Sequence, residues 1–128
     1  MRRGLAEVGS LPPHAVWERY ASPSRWSTWS PQIRWVECQP DRLQVGLTGT
    51  VHGLFGVRAH FEVLSVDEVR RTWSWRAWTG PVALLLHHAV LDGPGGGSEA
   101  TLEVDGPALA VLVYAPLADV ALRRLVRP

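Results

Sequence analysis

His87 and His88 stand side by side in the apolar run from Val82 to Leu91. If that run is a strand, the two imidazoles project to opposite faces and cannot hold one metal between them, so the pair predicts no zinc site. Leu84, Leu86, His88 and Val90 then make one face, and Leu85, His87, Ala89 and Leu91 the other. An imidazole on the inner face is a candidate for proton transfer, because an ordinary pKa of about 6.5 lets it work in either direction near neutral pH. The competing reading is a core histidine satisfied by one hydrogen bond. Tyr114, in a strongly apolar C-terminal segment, has a hydroxyl that needs a partner if enclosed, and is the second group able to move a proton.

Little other polar chemistry accompanies them. His60 alternates with Arg58 and Glu62 on what reads as a wet face, and His52 lies beside Gly53 at a bend. The carboxylates Glu62, Glu99, Glu103 and Asp105 fall on wet faces or strand ends, Asp41, Asp67 and Asp92 at turns, and Glu7, Glu18 and Asp119 near element ends. No paired acid and base, no Ser-His-Asp spacing and no phosphate-cradling glycine loop emerges, so no cofactor is implied. Any catalysis must rest on a histidine, a tyrosine, ordered water and the shape imposed on the substrate. The chain is instead rich in tryptophan, with seven in 128 residues. Indole offers a large apolar face and one N–H donor, which suits core packing and stacking on a flat or polyene ligand alike. Trp73 and Trp75 share a strand face, while Trp78 points the other way if the strand is regular.

The elements that must position these groups follow from periodicity. Pro12 and Pro13 suit the start of a short helix continuing from His14 to Ala21, with Val16, Trp17 and Tyr20 on one stripe. Ser24 to Trp29 predicts a second helical turn, stopped by Pro31. Period two then takes over, and Ile33 to Gln39, Leu47 to Gly53, Val57 to Val66, Arg71 to Thr79, Val82 to Leu91 and Ser98 to Val104 each read as strands. Six strands in series favour an antiparallel meander with one wet and one buried face. Gly93 to Gly97 reads as an exposed turn between two of them. From Pro107 to Val126 the period is helical, and apolar residues run almost all the way round from Ala108 to Leu117, so this helix is expected to be covered on most sides and to kink or break near Pro116. Arg123, Arg124 and Arg127 suit the negative end of its dipole.

Composition limits the function further. The length fits one domain, residues 1–128, around one core. The longest apolar runs fall short of the ~20 residues of a membrane span, so a soluble chain is expected. Met1, Arg2 and Arg3 are not followed by an apolar signal core, and the lone Cys38 has no partner for a disulfide; a cytoplasmic protein is the expectation. The net charge of +1 is spread along the chain, with every basic residue an arginine, and gives no nucleic-acid footprint.

In its order of pieces the chain resembles the SRPBCC superfamily, also called START-like or Bet v 1-like, and within it the polyketide cyclase/dehydrase-like proteins. The resemblance rests on Pro12 to Glu18, Trp26 to Pro31, Gly46 to Gly49, the Phe61 and Val63 strand with Asp67 after it, Arg71 to Trp75, His88 with Val90, and Gly106-Pro107 opening the last helix. It implies an α+β helix-grip fold, a curved antiparallel sheet wrapped around a long C-terminal helix, with two short helices near the N-terminus. The first strand of that fold is weak here, since Leu5 to Ser10 is short and has no β-branched run beyond Val8. The resemblance also favours the face with His88 and Val90 as the inner one. It implies an internal cavity for a hydrophobic or aromatic molecule, with Trp26, Trp29, Trp35, Phe61, Trp73, Trp75 and Leu86 as lining candidates and His88 and Tyr114 as the groups able to act.

Three readings remain. The first is a carrier or sensor holding a hydrophobic small molecule, as a monomer or homodimer. The second is a cyclase, aromatase or dehydratase folding a reactive chain in the same cavity. A third, an interaction module, lacks any charged docking face or extra domain to recommend it.

Overall fold

The computed structural model describes residues 1–128. Seven strands, β1 (Arg2–Gly9), β2 (Ile33–Cys38), β3 (Thr48–Gly53), β4 (Arg58–Asp67), β5 (Thr72–Thr79), β6 (Val82–Asp92) and β7 (Ser98–Asp105), form one antiparallel sheet in the order β1-β7-β6-β5-β4-β3-β2. Three helices complete it: α1 (Pro13–Ala21), the single turn α2 (Trp26–Trp29), which follows a 3-10 turn at Pro23–Arg25, and α3 (Ala108–Leu125). The α+β helix-grip architecture expected from the resemblance is therefore present.

Alternation decides which face α3 covers. Phe61 and Val63 of β4, Trp73 and Trp75 of β5, Leu86, His88 and Val90 of β6, and Ala100, Leu102 and Val104 of β7 are all buried. They pack with Val16, Tyr20 and Trp26 of the short helices and with Val111, Ala118, Ala121, Leu122 and Leu125 of α3 in one cluster. A β-bulge between Val63 and Ser65 leaves the pairing of β4 with β5 otherwise regular. Arg19 of α1 holds the far end of α3: its Nη1 donates to the carbonyls of Arg124, Leu125 and Arg127 at 3.1, 2.9 and 2.7 Å. A cation there satisfies carbonyls with no helical partner and meets the negative end of the dipole.

Three expectations need correction. β1 is not the weak, short strand expected from Leu5 to Ser10 but pairs with β7 along its whole length, from Arg2 opposite Asp105 to Gly9 opposite Ser98. Its backbone groups are satisfied by β7, so it needs no β-branched run of its own. Of the two outcomes expected at Pro116, a kink or a break, the break does not occur: the terminal helix is continuous from Ala108 to Leu125. Pro116 is exposed and so is Leu112, whose carbonyl loses its helical N–H and meets solvent instead. Nor is α3 covered on most sides, because Leu109, Leu112, Val113 and Leu117 are 76%, 46%, 62% and 40% exposed.

Candidate functional site

The interior is organised around His88. Trp75 Nε1 donates to His88 Nε2 at 2.9 Å, and an indole nitrogen can only donate. The neutral ring must then carry its proton on Nδ1, which lies 3.0 Å from the Tyr20 hydroxyl and donates to it. Burial, reinforced by the neighbouring His87, lowers the His88 pKa to about 3. The ring is therefore neutral at physiological pH, with both nitrogens engaged. Burial likewise lifts the Tyr20 phenol far above its usual range.

Aromatic rings close in around this relay. His88 stacks on Trp73 with centroids 4.5 Å apart and planes 9° from parallel. Trp73 stacks in turn on Trp75 at 5.5 Å, and Tyr20 meets Trp73 and Trp29 by its edge at 5.4 and 5.5 Å. Trp26, whose Nε1 donates to the Tyr20 carbonyl at 2.9 Å, lies within 5.6 Å of Trp73, Trp75 and Phe61. Such contacts orient rings as well as burying them, each adding about 1 kcal/mol beyond area burial.

Between this cluster and α3 a small space of about 20 Å³ remains, bordered by Trp26, Trp29, Gln32, Trp73, Trp75 and Tyr114 among others. That is room for about one water, which needs roughly 10–15 Å³ by the same measure. The open cavity expected from the sequence is thus closed in this state, its volume filled by the indoles themselves. Three buried side-chain polar atoms have no partner, and two of them, Trp73 Nε1 and Gln32 Oε1, belong to residues bordering this space. One is a donor and the other an acceptor. Tyr114 faces the same space, its phenol pushed up to about 12 by burial, with the Gln32 amide beside it.

A second depression lies elsewhere. About 580 Å³ of open groove runs over the sheet face opposite α3, where Ser65, Ser74, His87, Thr101 and Glu103 alternate with the buried residues. It is open to solvent, and the strand backbones of Trp73, His88 and Leu102 separate it from the aromatic interior on the other face.

Of the residues singled out from the sequence, Trp26, Trp29, Phe61, Trp73, Trp75, Leu86 and His88 come together in the buried core, and Tyr114 packs against it. Trp35 does not join them. It is 51% exposed on the outer face, stacked on His52 at 3.9 Å, because the irregular pairing between Ile33 and Trp35 sends Ile33 inward and Trp35 out. Trp78 also faces outward, under the Arg76 guanidinium at 4.5 Å. His87 is exposed and His88 buried, as strand alternation requires. Two residues escaped the sequence reading. Tyr20 was visible only as one position on an apolar helical stripe, and Gln32, in the turn after Pro31, carried no signal at all.

A family model described as polyketide cyclase / dehydrase and lipid transport matches residues 7–128. No curated protein matches the chain by sequence. Among solved structures, XoxI from Bacillus cereus superposes with a TM-score of 0.83 at 12% identity, over 98% of this chain and 92% of that one. A protein from Nitrosospira multiformis gives 0.81 at 15% identity over 98% and 94%. The Bet v 1-like protein Ara h 8.0201 gives 0.77 at 11% identity over 98% and 94%. Identities this low speak for the fold alone.

Proposed function

This chain belongs to the polyketide cyclase / dehydrase and lipid transport family, and from that premise we propose that its closed aromatic interior opens to hold a hydrophobic or aromatic small molecule bearing a hydroxyl. The observation that carries the reading is a pair of unpartnered atoms, Trp73 Nε1 and Gln32 Oε1, on two residues that border the small internal space. A buried polar group without a partner costs about 1–3 kcal/mol, and a ligand hydroxyl can accept from the indole while donating to the amide oxygen. The surrounding indoles supply flat apolar walls for the remainder of the molecule. Tyr114 stands at the same space, protonated across the physiological range, and adds one further donor.

The binding reading is preferred over the cyclase reading because of His88. Its lowered pKa and its two occupied nitrogens suit a strut holding Tyr20 and Trp75 in place better than a group exchanging protons with substrate. A test compares 2-naphthol with naphthalene by quenching of tryptophan emission. The expected result is binding of both, with naphthol favoured about fivefold, the worth of a typical hydrogen bond. Gln32→Leu and Trp73→Phe should each shrink that preference. Quenching by neither compound, or a naphthol preference untouched in both variants, sinks the reading.

A further inference from the structure

The exposed residues Leu109, Leu112, Val113 and Leu117 recur at helical spacing and form one apolar stripe along the first half of α3. From Ala108 to Ala118 the helix has no charged side chain. A second apolar surface stands nearby. The loop joining β3 to β4 presents Leu54 and Val57 half exposed and Phe55 98% exposed. Phe55 holds a left-handed backbone, φ 57°, which a bulky residue rarely adopts, and the turn aims its ring into solvent instead of folding it back.

The two surfaces flank one segment of chain. Gly53, the residue before the loop, sits so close to the Gln32 carbonyl that an added Cβ would lie 3.3 Å from it, and Gln32 and Ile33 border the same small space as Tyr114 of α3. Both therefore lie at the end of the molecule where β2 and α3 begin and the β3–β4 hairpin turns. The charges at this end are lopsided. Arg3, Arg34 and Arg58 are exposed and have no acidic partner, whereas Glu103 and Asp105 are both taken by Arg2 at 3.0 and 3.4 Å, and Glu37 faces His52 at 3.4 Å. Asp41, Asp67, Glu68 and Asp92 lie at the turns of the opposite end.

We propose that this end of the molecule docks on an anionic lipid surface, with Phe55, its loop and the α3 stripe entering the headgroup boundary while Arg3, Arg34 and Arg58 meet lipid phosphates. An apolar face rimmed by cations is the arrangement that interfacial binding requires. A second copy is the poorer occupant, since a two-fold contact through this patch would set the unpaired arginines of both copies against each other. The surface adjoins the segment that closes the aromatic interior, so docking places that segment at the source of hydrophobic molecules. The docking itself needs no bound ligand, and it stands or falls separately from the naphthol titration.

The experiment is co-sedimentation of the full chain with phosphatidylcholine vesicles, with and without phosphatidylglycerol. Binding is expected only with phosphatidylglycerol, and raised salt should weaken it. Arg34→Gln and Arg58→Gln should each reduce partitioning about fivefold. Phe55→Asn should reduce it about tenfold without loss of thermal stability, because asparagine tolerates the left-handed turn. The proposal is overturned by indifference to phosphatidylglycerol, by wild-type partitioning of Phe55→Asn, or by a wild-type dimer that ignores vesicles and dissociates in Phe55→Asn.

Discussion

At His88 three demands meet in one side chain: it is fully buried, neutral, and bonded through both nitrogens. The unfolded chain takes up its proton near the usual 6.5, whereas the folded protein refuses it until about 3. Above pH 6.5 both states are neutral and the site carries no penalty. Below it the unfolded chain binds a proton that the fold does not, so stability should fall by about 1.4 kcal/mol per pH unit down to about 3. Urea denaturation across that window measures the slope. His88→Gln, which keeps a donor and an acceptor but cannot titrate, is expected to start lower at pH 7 and to fall less steeply. A slope identical to wild type would place the acid sensitivity in other groups.

Among the elements, α3 matters most because its two halves are held differently. The second half buries Ala121, Leu122 and Leu125 and is capped by Arg19; the first half buries Val111 and Ala115 and leaves an apolar stripe in solvent. Arg19→Met removes three hydrogen bonds to the last carbonyls while keeping the apolar stem. It should cost about 2 kcal/mol of unfolding free energy, measurable in urea. Pro116 lies between the halves. Since the helix already passes through it, Pro116→Ala restores the N–H to the Leu112 carbonyl and is expected to add about 2 kcal/mol of stability. If opening of the interior depends on this softer half, the same variant should bind naphthol more slowly, read in stopped-flow quenching. A stabilised variant with unchanged binding rate would locate the opening elsewhere.

For the molecule as a whole, the closed interior means that any ligand must first displace packed side chains. Part of its binding free energy goes into that opening, and the apparent affinity is lowered by the fraction of molecules found closed. Leu122 is 1% exposed, belongs to the core and borders the small space. Leu122→Ala should therefore do two opposite things. It should lower stability by about 3 kcal/mol, as removal of a core leucine does, and it should tighten naphthol binding by supplying room in advance. Thermal denaturation with and without ligand reads both effects. A variant that loses stability and affinity together would mean that the ligand does not use this space.

The helices and strands were legible because each writes its own period into the chain. Alternation in β4 to β7 separated buried from exposed side chains and split His87 from His88, and the Pro12-Pro13 pair, Pro31, Pro107 and the glycine turn at Gly93 to Gly97 marked the boundaries. These are local effects, set by backbone geometry and the polarity of neighbours in sequence. Other features depended on what the elements meet after folding. β1 is a full strand because β7 supplies its hydrogen bonds, and Trp35 faces outward because an irregularity in its pairing with β3 changes which side its indole takes. Composition showed many indoles but not whether they line a hole or fill it, since that depends on how rings from five elements interlock. The importance of Gln32 arises only from its nearness to Trp73 and Tyr114. The naked stripe on α3 likewise follows from the sheet's reach: an apolar helix does not reveal which of its sides the strands leave uncovered.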